Sequence, residues 1–106
     1  MAKYLIQATY SAEGFKGVAK DKASGRKAAL EKALAGVGAG LDAIYYSFGD
    51  YDVVLIVDAP DNATVAAVGM AACSTGLART STTPLLTIEE ADQAVKKSVR
   101  YRGPGQ

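Results

Sequence analysis

The chain has 106 residues, 49% of them hydrophobic, a length that buries one core and leaves no room for a second domain. Its 12 Lys and Arg nearly cancel its 11 Asp and Glu, so no overall field favours nucleic acid, an anionic membrane or an acidic substrate. Cys73 is the single cysteine and histidine is absent, which excludes an intrachain disulfide, a Cys-x-x-Cys site, an imidazole-rich metal site and a His-based triad.

No metal and no cofactor is expected on these grounds. The start, Met1 to Ala8, lacks the apolar run and cleavage site of a signal peptide, and no stretch has the length of a membrane span. A soluble cytoplasmic protein is the expectation.

Lys3 to Tyr10 reads as a first strand, with Tyr4, Ile6, Ala8 and Tyr10 on one face and Leu5, Gln7 and Thr9 on the other. Ser11 is placed to cap a helix with Glu13 in its first turn, where negative charge suits the helix dipole. Asp21 to Gly25 interrupts that helix, with Ser24 as a second cap, and Ala29, Leu30, Ala33, Leu34 and Val37 then repeat at helical spacing. The expectation is one broken helix or two in tandem, stopped by Gly36, Gly38 and Gly40.

A second strand over Leu41 to Phe48 and a third over Asp52 to Asp58 are joined by Gly49-Asp50-Tyr51, a link short enough for a hairpin. Pro60 ends the third strand and Asp61 caps a helix to Ser74 whose small residues let it lie close to a sheet. Leu77 to Leu86 is a polar, threonine-rich strand that suits a sheet edge. Thr87 and Glu90 match a capping box that opens a last helix to about Val99. Residues 1–99 thus make the domain, and 100–106 a flexible or partner-contacting tail.

The order is a βαβ unit written twice plus a C-terminal helix, an α+β chain in the ferredoxin-like βαββαβ arrangement with an antiparallel sheet. The first and third strands are then central and the second and fourth are edges. Both helices of that arrangement pack on one face, so the other face should read polar if it meets water. Here Val54 and Ile56 oppose Val53, Leu55 and Val57, Leu5 opposes Ile6, and Tyr45 opposes Ile44. Covering each large aliphatic side chain gains roughly 1.5–3 kcal/mol, which favours a homodimer packed sheet to sheet over a C-terminal helix with only Ala91, Ala94 and Val95 to offer.

Six residues are candidates for ligand contact. Asp50 or Asp52 could act as acid or base beside a cavity with Tyr51 as a hydrogen-bond donor, although glycine and aspartate are also the ordinary formers of such a turn. Arg79 could fix a carboxylate or phosphate with its planar fork, or simply guard an edge strand. Tyr10 and Tyr46, with Tyr4 and Tyr45, could line a pocket or serve core and interface packing. Cys73 reads as an inert buried thiol. Arg100, Tyr101 and Arg102 form a basic cluster too short for a nucleic-acid site and read as a solvated or partner-embracing tail.

The hairpin Tyr45-Tyr46-Ser47-Phe48-Gly49-Asp50-Tyr51-Asp52-Val53-Val54 resembles the signature of the GYD domain family. The likeness extends to Lys3-Tyr4-Leu5-Ile6, Pro60-Asp61, Arg79-Thr80, Thr83-Pro84-Leu85-Leu86-Thr87 before Glu90, and Tyr101-Arg102 with Pro104-Gly105. It implies the dimeric α/β barrel type, in which two ferredoxin-like sheets meet face to face. Relatives by fold include cofactor-independent monooxygenases, decyclising enzymes and plain stress or binding proteins, so the resemblance implies no single activity.

With no paired nucleophile and base, the leading expectation is a homo-oligomeric small-molecule binding or accessory protein without chemistry of its own. The alternatives are a cofactor-independent monooxygenase-like or isomerase-like enzyme using Asp, Arg and Tyr, and a purely structural assembly protein.

Overall fold

The computed structural model describes all residues from Met1 to Gln106. Seven elements follow in order: β1 (Ala2–Tyr10), α1 (Ala12–Ala35), β2 (Gly40–Tyr46), β3 (Val53–Ala59), α2 (Asn62–Ser74), β4 (Ala78–Leu85) and α3 (Ile88–Lys96). The four strands form one antiparallel sheet in the order β2-β3-β1-β4, so the two most apolar strands are central and the glycine- and threonine-bearing strands are the edges. This is the ferredoxin-like strand order.

The barrel expectation is overturned. The sheet is open, with β2 and β4 as free edges, because four strands are too few to curl round and meet. The dimeric α/β barrel type therefore does not describe this chain.

Alternation along the strands decides which side chains are sealed. Tyr4, Ile6 and Ala8 of β1 and Val53, Leu55, Val57 and Ala59 of β3 point to one face and are buried there with Leu34 of α1 and Val65 of α2. Both helices lie on that face. The Tyr4 hydroxyl donates to Asn62 Oδ1 at 2.6 Å, so even the largest sealed side chain has its polar tip satisfied.

Local chemistry sets the element ends. Ser11 Oγ accepts from the Gly14 amide, Asp61 Oδ1 accepts from the Thr64 amide and hydroxyl, and Thr87 and Glu90 complete the capping box reciprocally. Those hydrogen bonds from Thr64 hold the Asp61 carboxyl below its ordinary value. Gly14 is required by close approach: a Cβ there would stand 2.2 Å from the Leu77 carbonyl oxygen, which also accepts from the Ser11 amide. The start of α1 is thus pinned to the start of β4.

α1 is broken at Lys22, inside the expected stretch Asp21 to Gly25, but Ser24 does not cap the second half. Lys22 has φ 66° and ψ 164°, a backbone region that is essentially glycine-only. α3 ends at Lys96, short of Val99, and does not cover the sheet: its apolar residues Ile88 and Val95 are 77% and 84% exposed. The molecule is accordingly elongated, 55 × 32 × 22 Å.

The bare face of the sheet carries Leu5, Ala43, Tyr45, Val54 and Ile56 at its centre. Lys3 closes one end by pairing with Asp42 and, at 3.3 Å, with Asp58 of its neighbouring strand. Arg79, Ser81 and Thr83 of β4 make the flank on that face polar.

The strain at Lys22 gives the first test. A non-glycine residue there costs about 1–3 kcal/mol, and glycine returns roughly 0.5–1 kcal/mol of that through its freer unfolded chain. Lys22→Gly should therefore raise the unfolding free energy by about 1 kcal/mol in urea titrations, whereas Lys22→Ala should leave it within a few tenths.

Candidate functional site

The broken α1 leaves a gap between itself, α2 and the sheet. An inner cavity of about 80 Å³ is walled mainly by Ile6, Leu30, Leu55 and Val68. An outer cleft of about 250 Å³ lies between the first half of α1 and the start of β4, with Gly17, Val18, Asp21 and Thr75 on its walls. The two share Tyr10, Arg26, Ala72 and Ala78 as wall residues, so they lie side by side with these four residues as the waist between them.

Arg26 is the only charged residue in the inner wall. It stands one turn before Leu30 and two before Leu34, on the stripe that α1 turns toward the sheet. Its side chain is 32% exposed and makes no hydrogen bond; the nearest anionic atom, Asp21 Oδ2, is 3.6 Å from Nη1 across the break at Lys22. A carboxylate at that distance screens the guanidinium without binding its fork.

Beside this waist stands a row of aromatic rings. Tyr10 and Tyr46 stack with centroids 6.5 Å apart and hydroxyls 3.3 Å apart, and Phe15 meets Tyr10 edge-on at 5.4 Å. Burial first, and then the hydrogen bond with Tyr10, push the Tyr46 phenol well above its ordinary value, while Arg26 pulls it the other way. Tyr46 is thus a protonated phenol at neutral pH, a hydrogen-bond donor rather than a base.

The other sequence candidates lie elsewhere. Asp52 Oδ2 accepts from the Tyr10 amide at 2.8 Å and the Asp52 amide donates to the Ala8 carbonyl at 2.8 Å, so this residue ties the hairpin to the end of β1. The Tyr51 carbonyl accepts from Ser47 Oγ at 2.8 Å, and Asp50 is exposed in the turn. Neither Asp50 nor Tyr51 lines the cleft. Arg79, opposite Thr9 in the register, belongs to the face away from the helices, as does Tyr45. Tyr10 and Tyr46 are the two candidates that the fold brings together.

Cys73 is half-buried rather than sealed, with Sγ 3.6 Å from Thr80 Oγ1, and that contact draws its thiol below the ordinary value. No group of three or more His, Cys, Asp or Glu side chains is arranged to hold a metal ion. No helix is long and apolar enough to cross a membrane.

The family model of the GYD domain matches residues 4–95, from the first strand to the last helix. The chain belongs to the GYD domain family. No curated protein and no solved structure matches it. Within the GYD domain the hairpin that resembles the family signature does structural work, since Asp52 fixes the backbone of Tyr10 and so sets one wall of the cleft. Arg26 is not among the candidates the sequence offers, where Arg79 stands out as the cation within a strand. The available signal was a cation four residues before Leu30 on an otherwise apolar helical stripe.

Tyr46 yields a pH prediction. Above about pH 10 an unfolded chain releases the Tyr46 proton while the folded chain keeps it, so the folded state binds more protons and its stability falls as pH rises. Thermal melts of the wild type and Tyr46→Phe between pH 8 and 11 should diverge accordingly, with the variant losing less stability over that range.

Proposed function

We propose that this GYD domain is a small-molecule binding protein whose site is the cleft between the sheet and the helices. The observation that carries the reading is that an apolar cavity and a wider cleft lie side by side and share Tyr10 and Arg26 as walls. An apolar pocket with a few convergent polar groups is the usual form of a ligand site. The role is binding rather than catalysis: the side chains at the waist offer hydrogen bonds and charge, but no nucleophile paired with a base.

Occupancy of the cleft is testable directly. Ala72→Phe places a ring on the wall that the inner cavity and outer cleft share. In a fragment screen by NMR, the wild type should show saturable shifts of the Ile6, Leu30 and Val68 methyl groups, and the variant should lose them while remaining folded. Fragments that shift only residues outside the cleft would count against the site.

The same chain forms a homo-oligomer, at least a dimer, through the bare face of the sheet. Leu5, Val54, Ile56 and the 72% exposed Tyr45 support this reading, because water is a poor neighbour for such a group and a second copy presents the same surface. Ile56→Glu should convert a sedimenting dimer to a monomer at micromolar concentration, whereas Ser81→Glu on the polar flank should not. A wild type that sediments as a monomer would defeat the dimer.

A further inference from the structure

We infer that the ligand of the cleft is a short-chain aliphatic carboxylic acid, bound as its monoanion with the carboxylate on Arg26 and the tail in the inner cavity. This rests on the reading of the cleft as a small-molecule site and names the class of molecule it takes.

The head group follows from Arg26. A guanidinium offers five N–H donors in a planar fork that matches a carboxylate, and this one, two-thirds buried, has none of them in a side-chain hydrogen bond. Charge-assisted bonds of this kind run at about 2.7–2.9 Å, so Asp21 at 3.6 Å holds the place of a carboxylate without filling it. Asp21 is 47% exposed and free to turn to solvent when a ligand carboxylate arrives. Tyr10, which shares these walls with Arg26, carries a phenol, a group ordinarily neutral at neutral pH, and adds no competing charge.

The charge of the ligand is limited by the same groups. Arg26 is the single cation on the walls of both cavities, so with Asp21 turned to solvent it balances one negative charge, whereas a phosphate dianion would leave one charge unbalanced beside an aspartate. A cationic head would face Arg26 directly.

The tail follows from the cavity beyond Arg26. Ile6, Leu30, Leu55 and Val68 are the large aliphatic walls of a recess of about 80 Å³, roughly half of the 150 Å³ that admits a benzene ring in an apolar core. An unbranched or singly branched chain of a few carbons fits that space and an aromatic ring does not. The outer cleft leaves room on the solvent side of the carboxylate, so the head remains reachable from outside.

The test is an NMR titration of the whole chain with acetate, propanoate, butanoate and, as neutral and cationic counterparts, butanamide and butylamine. Affinity should rise roughly fourfold per added methylene from acetate to butanoate, with the Ile6, Leu30 and Val68 methyl groups reporting saturation. Butanamide should bind at least about tenfold more weakly than butanoate, as loss of a charge-assisted pair implies, and butylamine should not bind.

Arg26→Gln should make butanoate and butanamide equal, and Asp21→Asn should tighten butanoate several-fold by removing its competitor. Butanamide binding as well as butanoate in the wild type, or an Arg26→Gln variant that keeps the carboxylate preference, would overturn the assignment while leaving the cleft as a binding site. Failure of all five compounds to shift the three methyl groups would overturn the carboxylic acid assignment too, and a fragment screen equally silent there would remove the site itself.

Discussion

Everything in this molecule hangs on the antiparallel pairing of β1 with β3. The register that sets Tyr4 opposite Val57, Ile6 opposite Leu55 and Ala8 opposite Val53 gathers the large apolar side chains of both strands on one face, where the helices seal them. A slip of one residue would turn Lys3 and Asp58 inward and the whole buried set outward. Two local bonds guard against it: Lys3 joins Asp58 at one end of the pair, and the Asp52 amide donates to the Ala8 carbonyl at the other.

With the core fixed in this way, the position of the cleft is a matter of how α1 crosses the sheet. Its first turn is held against Leu77 by Ser11 and the bare Cα of Gly14, and its last turns are held by Leu34 in the core. The strained backbone at Lys22 joins these two anchored halves. The wedge between them and α2 is where Arg26, four residues after the strained Lys22, and Tyr10 meet the apolar wall. The far face of the sheet has no helix to cover it, and the exposed stripe of α3 lies away from it.

Much of this was legible in the residues. Apolar content ranked the strands correctly as central or edge, the capping residues Ser11, Asp61 and Thr87 mark the helix starts, and the polar stretch Asp21 to Gly25 marks the break. The barrel was not there to be read: pairing patterns report which strands are apolar, not whether an edge finds a partner, and the implied closure came from family likeness alone. The site was half legible. Tyr10 and Tyr46 come together because they end β1 and β2, the strands on either side of β3, on one face, but Arg26 could be valued only once its stripe was known to overlook a gap. Asp52 proved to be a backbone anchor, because a carboxylate in a hairpin turn finds free amides sooner than it finds a substrate.

The central claim, that the gap behind Arg26 receives the tail of a small acid, is tested most directly by diffraction from crystals soaked in 4-bromobutanoate. A single anomalous bromine peak among Ile6, Leu30 and Val68, with the carboxylate within hydrogen-bond distance of Arg26, is the expected result. Bromine found only on the outer surface or on the bare face of the sheet, with the inner cavity unchanged, would contradict it.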